Sequence, residues 1–299
     1  MSTLIIKLNA TGDVVRTTAL LRKLEGDVTW ITASPNTELL PKPDGRLRCI
    51  EWADRERAID RQYDLLINLE DEVPAAAFAA QVRHRRLFGA HLDKNSSVAY
   101  SEDSSQWFDL SLVSVYGRER ADQLKLLNRR TYQDLVFEGL GIEFAGESYV
   151  LPAPAPTPLC GDVAIAPVAG PVWPMKGWAY YDELRAALED AGLRVNILPR
   201  RNTLLEHLGD VKNHRCLVSG DSLPMHFALG TRTPCVTLFN CTSPWEICDY
   251  GIQTKLVSPL LERFFYKRGF DPAATTAIRL DDAFDAVMQL LRSPAAIPK

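Results

Sequence analysis

Four prolines alternate through Leu151-Pro152-Ala153-Pro154-Ala155-Pro156-Thr157-Pro158, at the midpoint of a 299-residue chain. Alternate prolines can join neither a sheet ladder nor a helix interior, so the run predicts an extended, stiff connector. It separates two pieces of roughly 150 residues, each the size of a domain. The expected division is a first domain over 1–151, a linker over 152–158, a second domain over 159–280, and a closing helix over 281–299. That last helix is free, on sequence grounds, to pack back on the first domain. Apolar residues are 46% of the chain and charged residues 24%, which suffices for a core in each piece and excludes disordered, collagen-like and coiled-coil chains.

Both pieces alternate strand-like and helix-like segments. In the first, residues 4–8 and 28–32 read as strands around a helical pattern at 14–24. Residues 65–69 follow as a strand, 73–82 as an alanine-rich helix, 86–89 as a short strand and 122–139 as one long helix. In the second, strands are expected at 163–167, 195–198, 216–219 and 235–239, and helices at 179–191, 224–230 and 281–291. Gly192 supplies the usual C-terminal stop of the first of these helices. Strands separated by helical segments predict an α/β chain with doubly wound parallel sheets, whose ligands bind at the carboxyl ends of the strands.

Composition excludes other classes. A formal charge of −4, from 34 basic and 38 acidic side chains, argues against nucleic acid as a partner, because that surface needs positive charge to displace counterions. All the excess lies in the first half, where 19 basic residues face 23 acidic ones; the second half carries 15 of each. No apolar run approaches the roughly 18 residues of a membrane helix. The start, MSTLIIKLNATGD, lacks the long apolar stretch and cleavage site of a signal peptide. Cys49, Cys160, Cys216, Cys235, Cys241 and Cys248 include no close pair. They read as reduced packing residues of a cytoplasmic protein, at most peripheral at the inner face of the membrane, and not as disulfides or a metal site.

Three turns carry candidate chemistry. The first is Lys7-Leu8-Asn9-Ala10-Thr11-Gly12-Asp13-Val14-Val15, where a strand ends and a helix is expected to begin at or just after Asp13. Asp13 is either an N-cap or a carboxylate at a strand's carboxyl end, able to take a proton from a hydroxyl as general base. A single glycine, Gly12, stands where a dinucleotide fingerprint needs three. The second is Val218-Ser219-Gly220-Asp221-Ser222-Leu223-Pro224-Met225-His226. Pro224 suits a first helical turn, and the exposed N–H groups there are either plainly capped or an anion site. Asp221 would repel a phosphate and suits sugar hydroxyls better. The third is the loop containing Lys176-Gly177-Trp178, where Lys176 could neutralise a departing phosphate as a mobile point charge.

Together these turns resemble glycosyltransferase family 9, the bacterial ADP-heptose:lipopolysaccharide heptosyltransferases. The resemblance rests on Gly12-Asp13-Val14-Val15 with Leu20-Leu21, and on Asp221-Ser222-Leu223-Pro224-Met225-His226. It continues through Thr233-Pro234, Leu238-Phe239-Asn240-Cys241-Thr242-Ser243-Pro244, Lys176 with Trp178, and Tyr63-Asp64-Leu65-Leu66-Ile67-Asn68-Leu69. It implies a GT-B fold, two Rossmann-like doubly wound domains facing across a cleft, with acceptor bound to the first and nucleotide sugar to the second. It also implies inverting, metal-independent transfer with no cofactor beyond the ADP-heptose (or similar) donor. Asp13 then matches the base, with Thr11 and Gly12 in the acceptor-side loop. Lys176, Ser222, Leu223 and the adjacent N–H groups match the diphosphate site, Asp221 and His226 lie against heptose or phosphate, and Glu206 matches a ribose-binding glutamate.

The chain also departs from the family. Leu223 and Asn240 replace glycines, and Leu198-Pro199-Arg200-Arg201 stands where the family carries Gly-Gly. The cysteine-containing segment near the end gives way to Arg263-Phe264-Phe265-Tyr266-Lys267-Arg268. Lipopolysaccharide would favour a basic face, for which Arg83-His84-Arg85-Arg86 and the run from Arg118 to Arg130 are the candidates. A soluble small-molecule or protein acceptor stands beside lipopolysaccharide core. A catalytically inactive nucleotide-sugar-binding protein and a sugar-nucleotide epimerase of the same fold are the other readings.

Overall fold

The first apolar run forms β1 (Ser2–Ile6), whose Thr3, Leu4, Ile5 and Ile6 are all fully buried. A strand covered on both faces reads as continuous apolar sequence, as this one does. It is central in a six-stranded sheet with β2 (Asp27–Thr32), β3 (Leu47–Glu51), β4 (Gln62–Asn68), β5 (Arg83–Leu92) and β6 (Val98–Tyr100). The order is β3-β2-β1-β4-β5-β6. Every pairing is parallel except β5 with β6. This computed structural model describes residues 1–41 and 45–292, in two compact units, Met1–Pro152 and Ala153–Lys299.

The first unit's helices are α1 (Thr11–Thr17), α2 (Val73–Gln81), α3 (Ser105–Phe108), α4 (Arg118–Leu127) and α5 (Tyr132–Leu140). Leu4, Ile6, Ile31, Ile50 and Leu66 pack with Phe78 and Ala79 of α2. The helix expected over 14–24 is shorter and starts earlier, and a 3-10 turn at Thr18–Arg22 continues it. The long helix expected over 122–139 is two helices. The Thr131 hydroxyl accepts from the Asp134 N–H while the Asp134 carboxylate accepts from the Thr131 N–H, a capping box that starts α5 afresh.

In the second unit, β7 (Gly161–Ala166), β8 (Val195–Ile197), β9 (His214–Gly220), β10 (Cys235–Phe239) and β11 (Gln253–Val257) form an all-parallel sheet ordered β11-β10-β9-β7-β8. Its helices are α6 (Tyr181–Asp190), α7 (Leu204–Lys212), α8 (Leu223–Thr231), α9 (Leu261–Phe264), α10 (Pro272–Thr276) and α11 (Leu280–Arg292). The apolar face of α11, Ala283, Ala286 and Val287, packs into this unit's own core with Val236 and Leu238. Residues 293–299 of the expected closing helix lie outside the described residues.

The proline-rich run is strapped down where it enters this unit. Ala155 N–H donates to Leu205 O at 3.0 Å, and the Asn213 amide reaches Thr157 O and Leu159 O, both at 3.2 Å. Gly209 in α7 admits this strap: a Cβ there would stand 2.2 Å from Ala155 O.

Candidate functional site

Each sheet has one place where the strand order reverses, and in open parallel sheets the turns that diverge from such a place form the binding crevice. In the first sheet it lies between β1 and β4, and in the second between β7 and β9. The candidate residues other than Glu206 sit in turns at these two places.

In the first unit, Lys7 follows β1 and Glu70 follows β4. Their side chains, 9% and 6% exposed, form an ion pair of 2.6 Å. The same Glu70 oxygen accepts from the N–H groups of Leu8 at 2.8 Å and Asn9 at 3.2 Å. One buried carboxylate thus gathers the turn that leads into α1. The cap position of α1 belongs to Ala10, in an unusual conformation (φ 41°, ψ 103°), and the helix starts at Thr11, two residues before Asp13. Asp13 is therefore not an N-cap; it lies in the first helical turn with Thr11 and Gly12, its N–H on Ala10 O at 2.7 Å.

The Asp13 carboxylate meets Arg16 at 3.0 Å and stays 32% exposed, whereas the Arg16 side chain is only 7% exposed. The Arg16 guanidinium lies 4.0 Å from the ring centroid of Tyr132 and 5.3 Å from that of Trp107. The Thr17 hydroxyl donates to Asp13 O at 2.6 Å and meets the Tyr132 hydroxyl at 2.7 Å. Burial pushes the Tyr132 phenol well above its ordinary range, so it orients its neighbours without ionising. A reachable carboxylate held by a buried cation is an acceptor for a proton or a hydroxyl hydrogen bond. The Asp-x-x-Arg spacing of this pair was visible in sequence. The Lys7–Glu70 pair and the two aromatic rings were not.

In the second unit, Lys176 ends a 3-10 turn, Pro174–Lys176, after β7, and Asp221 follows β9. Lys176 Nζ donates to Asp221 O at 2.8 Å and lies 3.0 Å from Asp221 Oδ2. The lysine expected as a mobile charge is instead locked, its side chain 18% exposed. Burial alone would raise the Asp221 carboxyl, but the Lys176 and His226 charges and the Thr242 hydroxyl outweigh it and bring it down to about 2. Gly220 makes the contact possible, because a Cβ there would stand 2.7 Å from Lys176 O. Asp221 is thus the lysine's partner before it is anyone else's.

Ser222 is the N-cap of α8, with no side-chain cap bond, and Leu223 is the first helical residue. The first N–H groups of this nine-residue helix are directed at the same turn, an arrangement that favours an anion. His226 is buried one turn in. Asn240, also buried, ties in the loop after Lys176 by donating to Gly177 O at 2.7 Å.

Glu206 stands apart in role: its carboxylate closes a capping box with Thr203 at the start of α7. Arg201 makes a bidentate pair with fully buried Asp210 at 2.7 and 2.8 Å. Burial raises the thiols of Cys241 to about 11 and Cys235 to about 12, which keeps them as inert packing groups. The Arg83–Arg86 run turns to acidic and carbonyl partners: Arg85 lies 3.3 Å from Asp64, Arg86 lies 2.7 Å from Asp103, and Arg83 donates to Asp60 O at 2.8 Å. Among the described residues, no three His, Cys, Asp or Glu side chains group as metal ligands, and no helix is long and apolar enough to cross a membrane.

No protein-family model and no curated protein sequence matches the chain. Solved structures do. Escherichia coli heptosyltransferase WaaC, in complex with ADP-2-deoxy-2-fluoro heptose, aligns over 97% of this chain and 99% of its own, with a TM-score of 0.63 at 16% identity. A glycosyl transferase family 9 protein from Veillonella parvula aligns over 97% of both chains, with a TM-score of 0.65 at 15% identity. This chain has the heptosyltransferase fold. Another protein of that fold, the dodecameric, iron-containing glycosyltransferase TibC from enterotoxigenic E. coli, aligns over 97% of this chain and 76% of its own, with a TM-score of 0.57 at 13% identity. The GT-B architecture expected from the motifs is thus the one found, with two parallel-strand units.

Proposed function

We propose that this protein is a glycosyltransferase that moves a heptose or related sugar from an ADP-sugar to an acceptor hydroxyl, with inversion and without an essential metal. The observation that carries the reading is the placing of complementary charged groups at the reversal point of each sheet. The first unit offers a reachable carboxylate, Asp13, and the second a fixed cation, Lys176, beside a helix N-terminus. One protein of the same fold, E. coli heptosyltransferase WaaC, is known in complex with ADP and with ADP-2-deoxy-2-fluoro heptose, which supports the donor class.

A single displacement needs few parts. Asp13 takes the acceptor's hydroxyl proton as its oxygen bonds to the anomeric carbon, and the bond from that carbon to ADP breaks. The electrons leave with the diphosphate, whose charge falls to Lys176 and the first N–H groups of α8, near Ser222 and Leu223. Fixed donors aimed at developing charge are usually the larger catalytic contribution, and the base the smaller. Asp221 holds Lys176 in place until the diphosphate shares it, and with His226 lies against the sugar or phosphate. Glu206 is the ribose contact in this reading. The acceptor is lipopolysaccharide core or a soluble small molecule or protein.

The test is incubation with ADP-heptose, with and without a panel of acceptors, read by mass spectrometry, and repeated after chelation. Glycosylated product only when acceptor is present, and unchanged by chelation, is the expected result. Isomerised sugar without acceptor would make the protein an epimerase. Tight ADP-heptose binding without product would make it a carrier, and loss of turnover on chelation would end the metal-independent mechanism.

A further inference from the structure

Three consecutive residues after β10, Asn240, Cys241 and Thr242, meet the Lys176 turn or its partner. Asn240 Nδ2 donates to the carbonyl of Gly177, the residue after the lysine, at 2.7 Å. Cys241, fully buried, packs with Met175, the residue before the lysine, and with Phe264 of α9 and Ala274 of α10. The Thr242 hydroxyl is among the groups that hold down the carboxyl of Asp221, the lysine's partner. This stretch is itself tied in place. Ser258 N–H donates to Phe239 O at 3.0 Å, one residue before Asn240, and Tyr266 N–H donates to Cys241 O at 2.8 Å. The lysine's own turn is closed by its N–H on Trp173 O, at 3.0 Å.

Asn240 is the informative member of the three, because it stands where the resemblance expects a glycine. A carbonyl oxygen only accepts, so the bond to Gly177 O fixes which end of the amide faces the lysine turn. The other end is poorly served: Asn240 is 1% exposed, and no donor among the described residues meets its Oδ1. An unmet buried acceptor costs free energy that a glycine would not incur. What the side chain gives in return is its grip on Gly177. We propose that Asn240 is a positioning residue for Lys176, fixing the turn that presents the ammonium to a nucleoside diphosphate. Lysine is a point charge on a flexible four-carbon stem, and a cation ordered only when the ligand arrives subtracts that ordering from affinity. Held between Met175 and Gly177, the turn is ordered beforehand. This rests on the reading of Lys176 as the diphosphate's cation and adds the residue through which that cation is set.

The experiment is a double-mutant cycle on the whole chain, read as ADP affinity by calorimetry. Asn240→Gly removes the side chain, and Asn240→Leu keeps much of its volume but not the donor; each is made alone and together with Lys176→Met. Either substitution alone should weaken ADP binding by about three- to tenfold, the range of one lost hydrogen bond. In the Lys176→Met background the same substitutions should change affinity by less than about twofold, because the group they position is gone. An equal loss in both backgrounds would mean a general loosening of the site and would overturn the proposal. Unchanged or tighter ADP binding by both Asn240 variants would overturn it too, while leaving Lys176 in its role. ADP binding indifferent to Lys176→Met would instead remove the diphosphate reading, and this inference with it.

Discussion

Asp13 acts through its neighbours. Its carboxylate is one-third exposed but its partner Arg16 is buried against two aromatic rings, so the acid is fixed without being hidden. Replacing it by alanine should lower turnover at least about a hundredfold, the low end for a general base, while ADP-sugar affinity measured by calorimetry stays near normal. Near-normal turnover would remove Asp13 from the mechanism. Asp221 is held differently. Burial opposes its charge, yet Lys176, His226 and Thr242 bring its carboxyl from 3.8 to about 2. A depressed folded value means stability that is complete above the unfolded value and is lost as pH falls through the folded one. Asp221→Asn should therefore melt lower than the unsubstituted protein near neutrality. The gap should be constant down to about pH 4 and close towards pH 2, where the native acid also becomes neutral. A gap that persists unchanged at pH 2 would mean the pair does not stabilise the fold by charge.

Helices show how local sequence and packing divide the work. The break between α4 and α5 is written in Thr131-Tyr132-Gln133-Asp134, a capping box that starts a new helix although the apolar spacing runs on past it. Helix α7 begins with the same device, Thr203 with Glu206. Gly209 inside α7 is a different case. Alanine there would improve helix propensity by about 1 kcal/mol, but its Cβ would stand 2.2 Å from Ala155 O. That atom is backbone of the proline-rich strap and cannot rotate away. Gly209→Ala should therefore destabilise the protein by about 1–3 kcal/mol in denaturant titration. A gain in stability would show that the strap is loosely held.

At the scale of the molecule, each unit has its own sheet and its own core cluster. The second, expressed alone as residues 153–299, should melt cooperatively and bind ADP with near-full affinity, because Lys176, Asp221 and α8 all belong to it. Loss of ADP binding in a cooperatively folded fragment would require a donor contact from the first unit. The sequence by itself determined the α/β class, most of the strands and the turns that follow β1, β7 and β9. Those depend on near-neighbour properties: apolar runs, proline's missing N–H, and a cap or glycine at a helix end. Edge elements such as β3, β6 and β11 escaped because their half-buried sequences carry a weaker pattern. Only the tertiary structure decided what each charged side chain meets. Lys7 finds Glu70 sixty-three positions away, Lys176 finds Asp221 forty-five away, and Tyr132 arrives over Arg16 from the far end of the first unit. Such pairings are set by which strands lie side by side, and strand order is a property of the whole sheet that no local stretch of chain encodes.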